Sequence, residues 1–202
     1  MSQDSRNPSA TIVAFDGLVA DTLHARALAL VTAISAEFQS VAIEVALQAL
    51  PARSLDEAAE VALRIAGAPD DATLRDLVVL RARRGFTGMV QQGLPLRTGA
   101  LAWLEQRARQ HGRFVLRADS ARRDVELLLT FSGVSDLFTL VRCADDLPRR
   151  AAKSSIERSW QAIVDRLSAL NVAPDQCVAF EYDAASAVIA RRFVSTVHLE
   201  AS

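Results

Sequence analysis

Four short stretches carry the residue types that could do chemistry, and each follows an apolar run. They are "AFDGLVADT" from Ala14, "RADS" from Arg117, "CADDLPRRAAKSS" from Cys143 and "EYDAAS" from Glu181. Between them they supply carboxylates (Asp16, Glu181, Asp183), a hydroxyl (Ser120) and cations (Arg117, Arg149, Lys153), with Arg142 just ahead of the third stretch. Carboxylates at the ends of strands can move protons or hold a divalent cation. Two of them close together repel and raise one pKa unless a cation lies between them. The histidines His24, His111 and His198 fit no Ser-His-Asp or metal-binding spacing.

The elements that would position these residues are legible from period and punctuation. Five β-type runs stand out: 11–15, 113–117, 138–143, 177–181 and 195–199. The first four are nearly continuous apolar runs, as expected of parallel strands buried on both faces. From the second run onward helical patterns alternate with them. "SARRDVELLLTFSG" reads as a helix with Ser120 as N-cap and Gly133 as its stop. "SSIERSWQAIVDRLSALN" puts Ile156, Trp160, Ile163, Val164 and Leu167 on one stripe. A helix after Gly99 shows an apolar face of Leu101, Leu104 and Ala108. The alternation predicts a doubly wound α/β sheet with a Rossmann-like core. Residues 23–92 read as nearly all helix, interrupted at Pro51, Gly67 to Pro69 and Gly93, with Ser54 and Glu57 forming a capping box. The expected organisation is an α/β core of residues 1–22 and 93–202 with an inserted all-α cap of residues 23–92. In open α/β sheets ligands bind beyond the carboxyl ends of the strands, where the four stretches lie.

Composition narrows the function classes. The chain has 202 residues, half of them hydrophobic, and a net charge of −1. That balance points to no nucleic acid and no anionic membrane partner. The polar N-terminus lacks a signal-peptide pattern and no apolar run approaches ~20 residues, so a cytoplasmic protein is expected. Cys143 and Cys177 sit in or beside apolar runs and read as buried, reduced thiols.

The motifs resemble those of the haloacid dehalogenase (HAD) superfamily, in particular β-phosphoglucomutase-like and phosphoglycolate phosphatase-like members with a helical cap. "AFDGLVADT" is similar to that family's first motif, DxDGxxxD[ST]. The resemblance implies an aspartyl nucleophile, a second Asp as general acid/base, a phosphoryl-binding Ser or Thr, a Lys, and acids that hold Mg²⁺. Here the nucleophile position is Ala14, the hydroxyl position Ala118, the Lys position Ala151 and the principal metal-ligand position Tyr182. Asp16 and Glu181 are kept, Asp183 takes the usual Ser place, and Lys153 lies two residues past Ala151. Arg53 falls where related caps contact substrate phosphate. An alanine methyl cannot attack phosphorus and a protonated phenol is a poor Mg²⁺ ligand.

The expected function is therefore that of a pseudoenzyme with a binding or regulatory role and no intact catalytic set. No cofactor is expected, and Lys153 or an arginine is expected in the vacated metal position. The ligand would be a small phosphorylated metabolite or a protein partner, with Asp16, Ser120, Lys153, Glu181, Asp183, Arg53 and Arg117 as pocket candidates. Asp16, Glu181 and Asp183 remain weak metal candidates. A rival reading is an altered phosphatase that uses Asp16, with Mg²⁺. A third is a structural dimer module, the chain being monomer or homodimer. Asp21-Thr22 reads as a helix N-cap pair, Tyr182 as a plug in the old pocket, and Arg81, Arg83 and Arg84 as a solvated face.

Overall fold

The computed structural model describes residues 8–110, 112–146 and 154–200. The chain runs through β1 (Ala10–Ala14), α1 (Thr22–Glu37), α2 (Ile43–Ala49), α3 (Leu55–Ile65), α4 (Ala72–Gln91) and α5 (Ala100–Gln110). It continues with β2 (Phe114–Arg117), α6 (Arg122–Ser132), β3 (Leu140–Arg142), α7 (Ser155–Ser168), β4 (Cys177–Glu181), α8 (Ala184–Ala190) and β5 (Thr196–Leu199). The five strands form one parallel sheet in the order β3-β2-β1-β4-β5. This is the doubly wound core, with four cap helices between β1 and α5.

Strand burial follows position in the sheet. The three central strands β2, β1 and β4 are buried along their whole length. The edge strands β3 and β5 are not, so the expectation of full burial fails for β3, which has a neighbour on one side alone. Side chains alternate between two cores, as the period of a strand requires. Val13, Leu116, Val178 and Phe180 face the larger core, shared with the cap helices and α6. Ile12, Val115, Cys177 and Ala179 face a second core built on Ile156, Trp160, Ile163 and Leu167 of α7. Val164 of the expected α7 stripe is half-buried.

Local signals explain most helix ends. Ser54 and Glu57 form the expected capping box at α3, and Gly133 closes α6 with φ +67°. Two expectations are corrected. Ser120 does not cap α6, whose N-cap is Ala121, because its hydroxyl is committed to Asp16. On α5, Leu101 is exposed and Trp103 turns inward instead, its ring edge-on to Phe180 at 5.2 Å. Both cysteines are buried and free; burial pushes the Cys177 thiol up to about 11 and the Cys143 thiol further. Among the described residues no helix is long and apolar enough to cross a membrane.

Candidate functional site

The carboxyl ends of β2, β1 and β4 set three residues side by side. Arg117 pairs in register with Ala14, and Glu181 lies one step beyond the Val13–Phe180 pair. By strand alternation all three project to the face covered by α7. Arg117 reaches across this row. Its Nε and one terminal nitrogen donate to the two Glu181 carboxylate oxygens at 3.0 and 2.8 Å, and its other terminal nitrogen donates to Asp119 at 2.7 Å. A methyl group at position 14 leaves the guanidinium room to pass. Arg117 and Glu181 are 2 % and 1 % exposed.

Asp16 lies beside this pair in a separate socket. One carboxylate oxygen accepts from the Thr22 hydroxyl at 2.7 Å and the Ser120 hydroxyl at 2.5 Å. The other accepts from the backbone N–H groups of Asp119 at 2.5 Å and Ser120 at 3.1 Å. The Arg26 guanidinium stands 3.6 Å away. Burial works to raise the Asp16 pKa, but Arg26 and these hydrogen bonds outweigh it and hold the carboxyl below its usual range. Burial pushes Glu181 and Asp119 upward, and Arg117 opposes the rise. Arg117 itself is held protonated by the two carboxylates. The network holds two arginines and three carboxylates.

The other sequence candidates fall in different places. Ser120 joins the Asp16 socket as donor. Ala118 packs into the larger core, on the opposite face from Arg117. Asp183 caps α8, accepting from the Ser186 backbone and hydroxyl at 2.8 and 2.6 Å. Arg53 folds back onto the carbonyls of Ala49 and Pro51. Arg142, next to Arg117 in register, lies 3.8 Å from Asp146. Ala151, Lys153, Arg149 and His111 lie outside the described residues.

Tyr182 does not fill the cap–core cleft. Its ring lies against Gly17, where a Cβ would collide with it and where φ is +83°. The Arg97 guanidinium covers the ring at 5.0 Å and donates to the Gly17 carbonyl at 2.5 Å. Tyr182 thus lines a second cleft, with Trp103 and residues 95–100. Asp21 makes no side-chain cap to α1, and the Thr22 hydroxyl donates to Asp16. Arg81 and Arg83 pair with Glu37 and Asp56 on the exposed face of α4.

Arg26 and Asp119 are the members of this network that sequence reasoning missed, and Arg26 is the more hidden of the two. The available signal was an arginine on the same α1 stripe as Thr22, Leu30 and Ala33, all buried. A cation on an apolar stripe needs a buried partner, and here that partner is Asp16.

Cap and core enclose a cleft of about 640 Å³ above this network. Arg26, Asp119 and Ser120 are at its wall, and the cap is clamped to the core beside it. Glu57 accepts from the Ser155 N–H at 2.7 Å and from the Ser155 hydroxyl while completing its own capping box. Thr87 of α4 donates to Asp124 of α6 at 2.8 Å.

The family resemblance implies Mg²⁺ at this centre, and the described residues do not fit it. Both Glu181 oxygens are taken by Arg117, both Asp16 oxygens by hydrogen-bond donors, and Asp183 caps a helix. Among the described residues no three His, Cys, Asp or Glu side chains are grouped to hold a metal ion.

No family model and no curated protein matches the chain. Solved structures do. A predicted phosphoglycolate phosphatase from Haemophilus somnus superposes with a TM-score of 0.75 at 13% identity, covering 94% of this chain and 83% of that one. CbbY from Rhodobacter sphaeroides, in complex with phosphate, gives 0.73 at 17% identity, with 96% and 87% covered. YfnB from Bacillus subtilis, a HAD-hydrolase bound to magnesium, gives 0.63 at 13% identity, with 97% and 88% covered. With a parallel five-stranded sheet, a helical insert after β1 and these superpositions, the chain has the haloacid dehalogenase-like fold.

Proposed function

We propose that the chain is a HAD-superfamily protein that does not transfer phosphoryl groups and acts by binding. One observation carries the reading: the Arg117 guanidinium, buried and paired with Glu181 and Asp119 over Ala14. The position that should hold a nucleophile is instead a gap that an ion pair crosses. Asp16, the retained acid/base, has four hydrogen-bond donors and a depressed pKa, so it is poorly suited to give or take a proton near neutral pH.

The cap–core cleft is the proposed ligand site, and its size is that of a small-molecule pocket. Among the described residues its walls carry seven carboxylates against four arginines. Arg26 Nε is buried at this wall with no hydrogen-bond partner. These features favour a small polar ligand with an acceptor group for Arg26 and no net negative charge. They weigh against a phosphate ester, the class the resemblance suggested. The protein is proposed to act in the cytoplasm, as monomer or homodimer.

The test is a panel of aryl and sugar phosphates and of neutral and amine-bearing metabolites, each with and without Mg²⁺. Phosphate release and thermal shift are measured together. No phosphate release is expected, with any stabilisation confined to the uncharged or cationic ligands. Stabilisation by the phosphate esters instead would overturn the ligand class, and catalytic phosphate release would overturn the non-catalytic reading.

A further inference from the structure

The poor fit to Mg²⁺ has a positive counterpart in the chain's own residues. Glu181 and Asp119 converge on a single guanidinium, which gives each a charge-assisted hydrogen bond and binds Glu181 through both oxygens. A divalent ion placed between two carboxylates would offset both charges through oxygen ligation, where the guanidinium offsets one and hydrogen-bonds both. Arg117 comes from β2, next to the vacant Ala14 position on β1, and its target is the acid that ends β4. The methyl at 14 and the cation at 117 are therefore complementary: an Asp at 14 would stand in the path of the guanidinium.

We propose that Arg117 is the resident cation of this centre, replacing a divalent ion, so that the folded chain neither needs nor holds one there. The proposal goes beyond the absence of catalysis, since a protein could lack turnover and still bind Mg²⁺. The two readings also fail separately. Phosphate release without any metal effect on stability would sink the non-catalytic reading and leave Arg117 in its role.

The experiment is thermal melting of the wild type, Arg117→Ala, and the double variant Arg117→Met with Glu181→Gln. Each is melted in EDTA and then with millimolar Mg²⁺ or Mn²⁺. The wild type is expected to melt at the same temperature in all three conditions. Arg117→Ala leaves Glu181 and Asp119 buried without their cation and is expected to melt roughly 6–20 °C lower. Part of that loss should return with the divalent ion. The double variant removes the guanidinium and one carboxylate and should melt above Arg117→Ala, with less response to metal. Failure of Arg117→Ala to fold in EDTA counts as the expected loss only if the double variant folds. A wild-type shift by Mg²⁺ or Mn²⁺, an Arg117→Ala protein as stable as wild type, one that no divalent ion rescues, or a double variant no better than the single one would each overturn the proposal.

Discussion

Two regions of this molecule hold buried or half-buried carboxylates, and they do it by different means. At the strand ends, Glu181 and Asp119 are met by a buried guanidinium. At the cap–core seam, Glu57 is met by hydroxyls and by backbone N–H groups at the N-termini of α3 and α7. The first arrangement depends on a buried cation inside the core, where burial raises both acids. The second draws on donors that a helix start leaves unpaired, and it lowers the Glu57 pKa in spite of burial. Asp16 combines both, with backbone and hydroxyl donors on its oxygens and Arg26 nearby. A site held by a buried cation is sensitive to any added or lost charge, whereas a capped site loses stability in smaller steps.

The largest effect should come from adding charge. Ala14→Asp puts a fourth carboxylate beside three carboxylates and two arginines, and should destabilise by about 3–5 kcal/mol in chemical denaturation. Combined with Tyr182→Asp it should still yield no phosphate release while Arg117 is present. Recovery of turnover in that double variant would contradict the role given to Arg117. Next comes Arg26→Ala, which strips the buried cation from Asp16. A loss of about 3 kcal/mol is expected, and a loss under ~1 kcal/mol would mean that the N–H and hydroxyl donors hold Asp16 alone.

Glu57→Ala should cost less, roughly 2 kcal/mol, as two helix starts lose a cap. Hydrogen exchange should quicken at Ser54 to Glu57 and at Ser155 to Glu157, and not at the strand ends. Unchanged exchange there would break the contrast between the two regions. Smallest is Arg83→Ala, which removes the ion pair with Asp56. The Arg83 side chain is 52 % exposed, so a change below ~1 kcal/mol is expected.

Acidification sharpens the same comparison. Glu57 and Asp16 have pKa values lowered by folding, so their contribution is present above the ordinary carboxylate range and lost as pH falls through the folded values. Asp119 and Glu181 are raised, so their contribution has the opposite sign: it is present below that range and fades as pH rises. The share of stability held by Glu57 and Asp16 should be lost below about pH 4, and Glu57→Gln should flatten the fall in melting temperature there. A Glu57→Gln protein with the wild-type acid slope would remove Glu57 from the account.

The sheet was legible because buried parallel strands are apolar on both faces, as "TIVAF" and "CVAFE" show. The capping box at Ser54 and the Gly133 stop were legible because each serves a local need of the backbone. Positions that answer to distant partners were not. Ser120 reads as a helix cap in sequence, yet its hydroxyl goes to Asp16, 104 residues away. Tyr182 follows the last residue of β4, so it turns from the Arg117 side to Gly17 and Arg97. The sequence offers four cations for the metal position, Arg117, Arg142, Arg149 and Lys153, and period alone does not rank them. The choice rests on strand register, which puts Arg117 beside Ala14 and within reach of Glu181. Arg26 was hidden among the alanines and leucines of α1.

The most direct test of a centre closed by its own ion pairs is steady-state hydrolysis of an aryl phosphate in millimolar Mg²⁺. Wild type and Asp16→Ala, both verified as folded, are assayed side by side. The expected result is no turnover by either protein above the uncatalysed rate. Wild-type turnover that Asp16→Ala abolishes would contradict it.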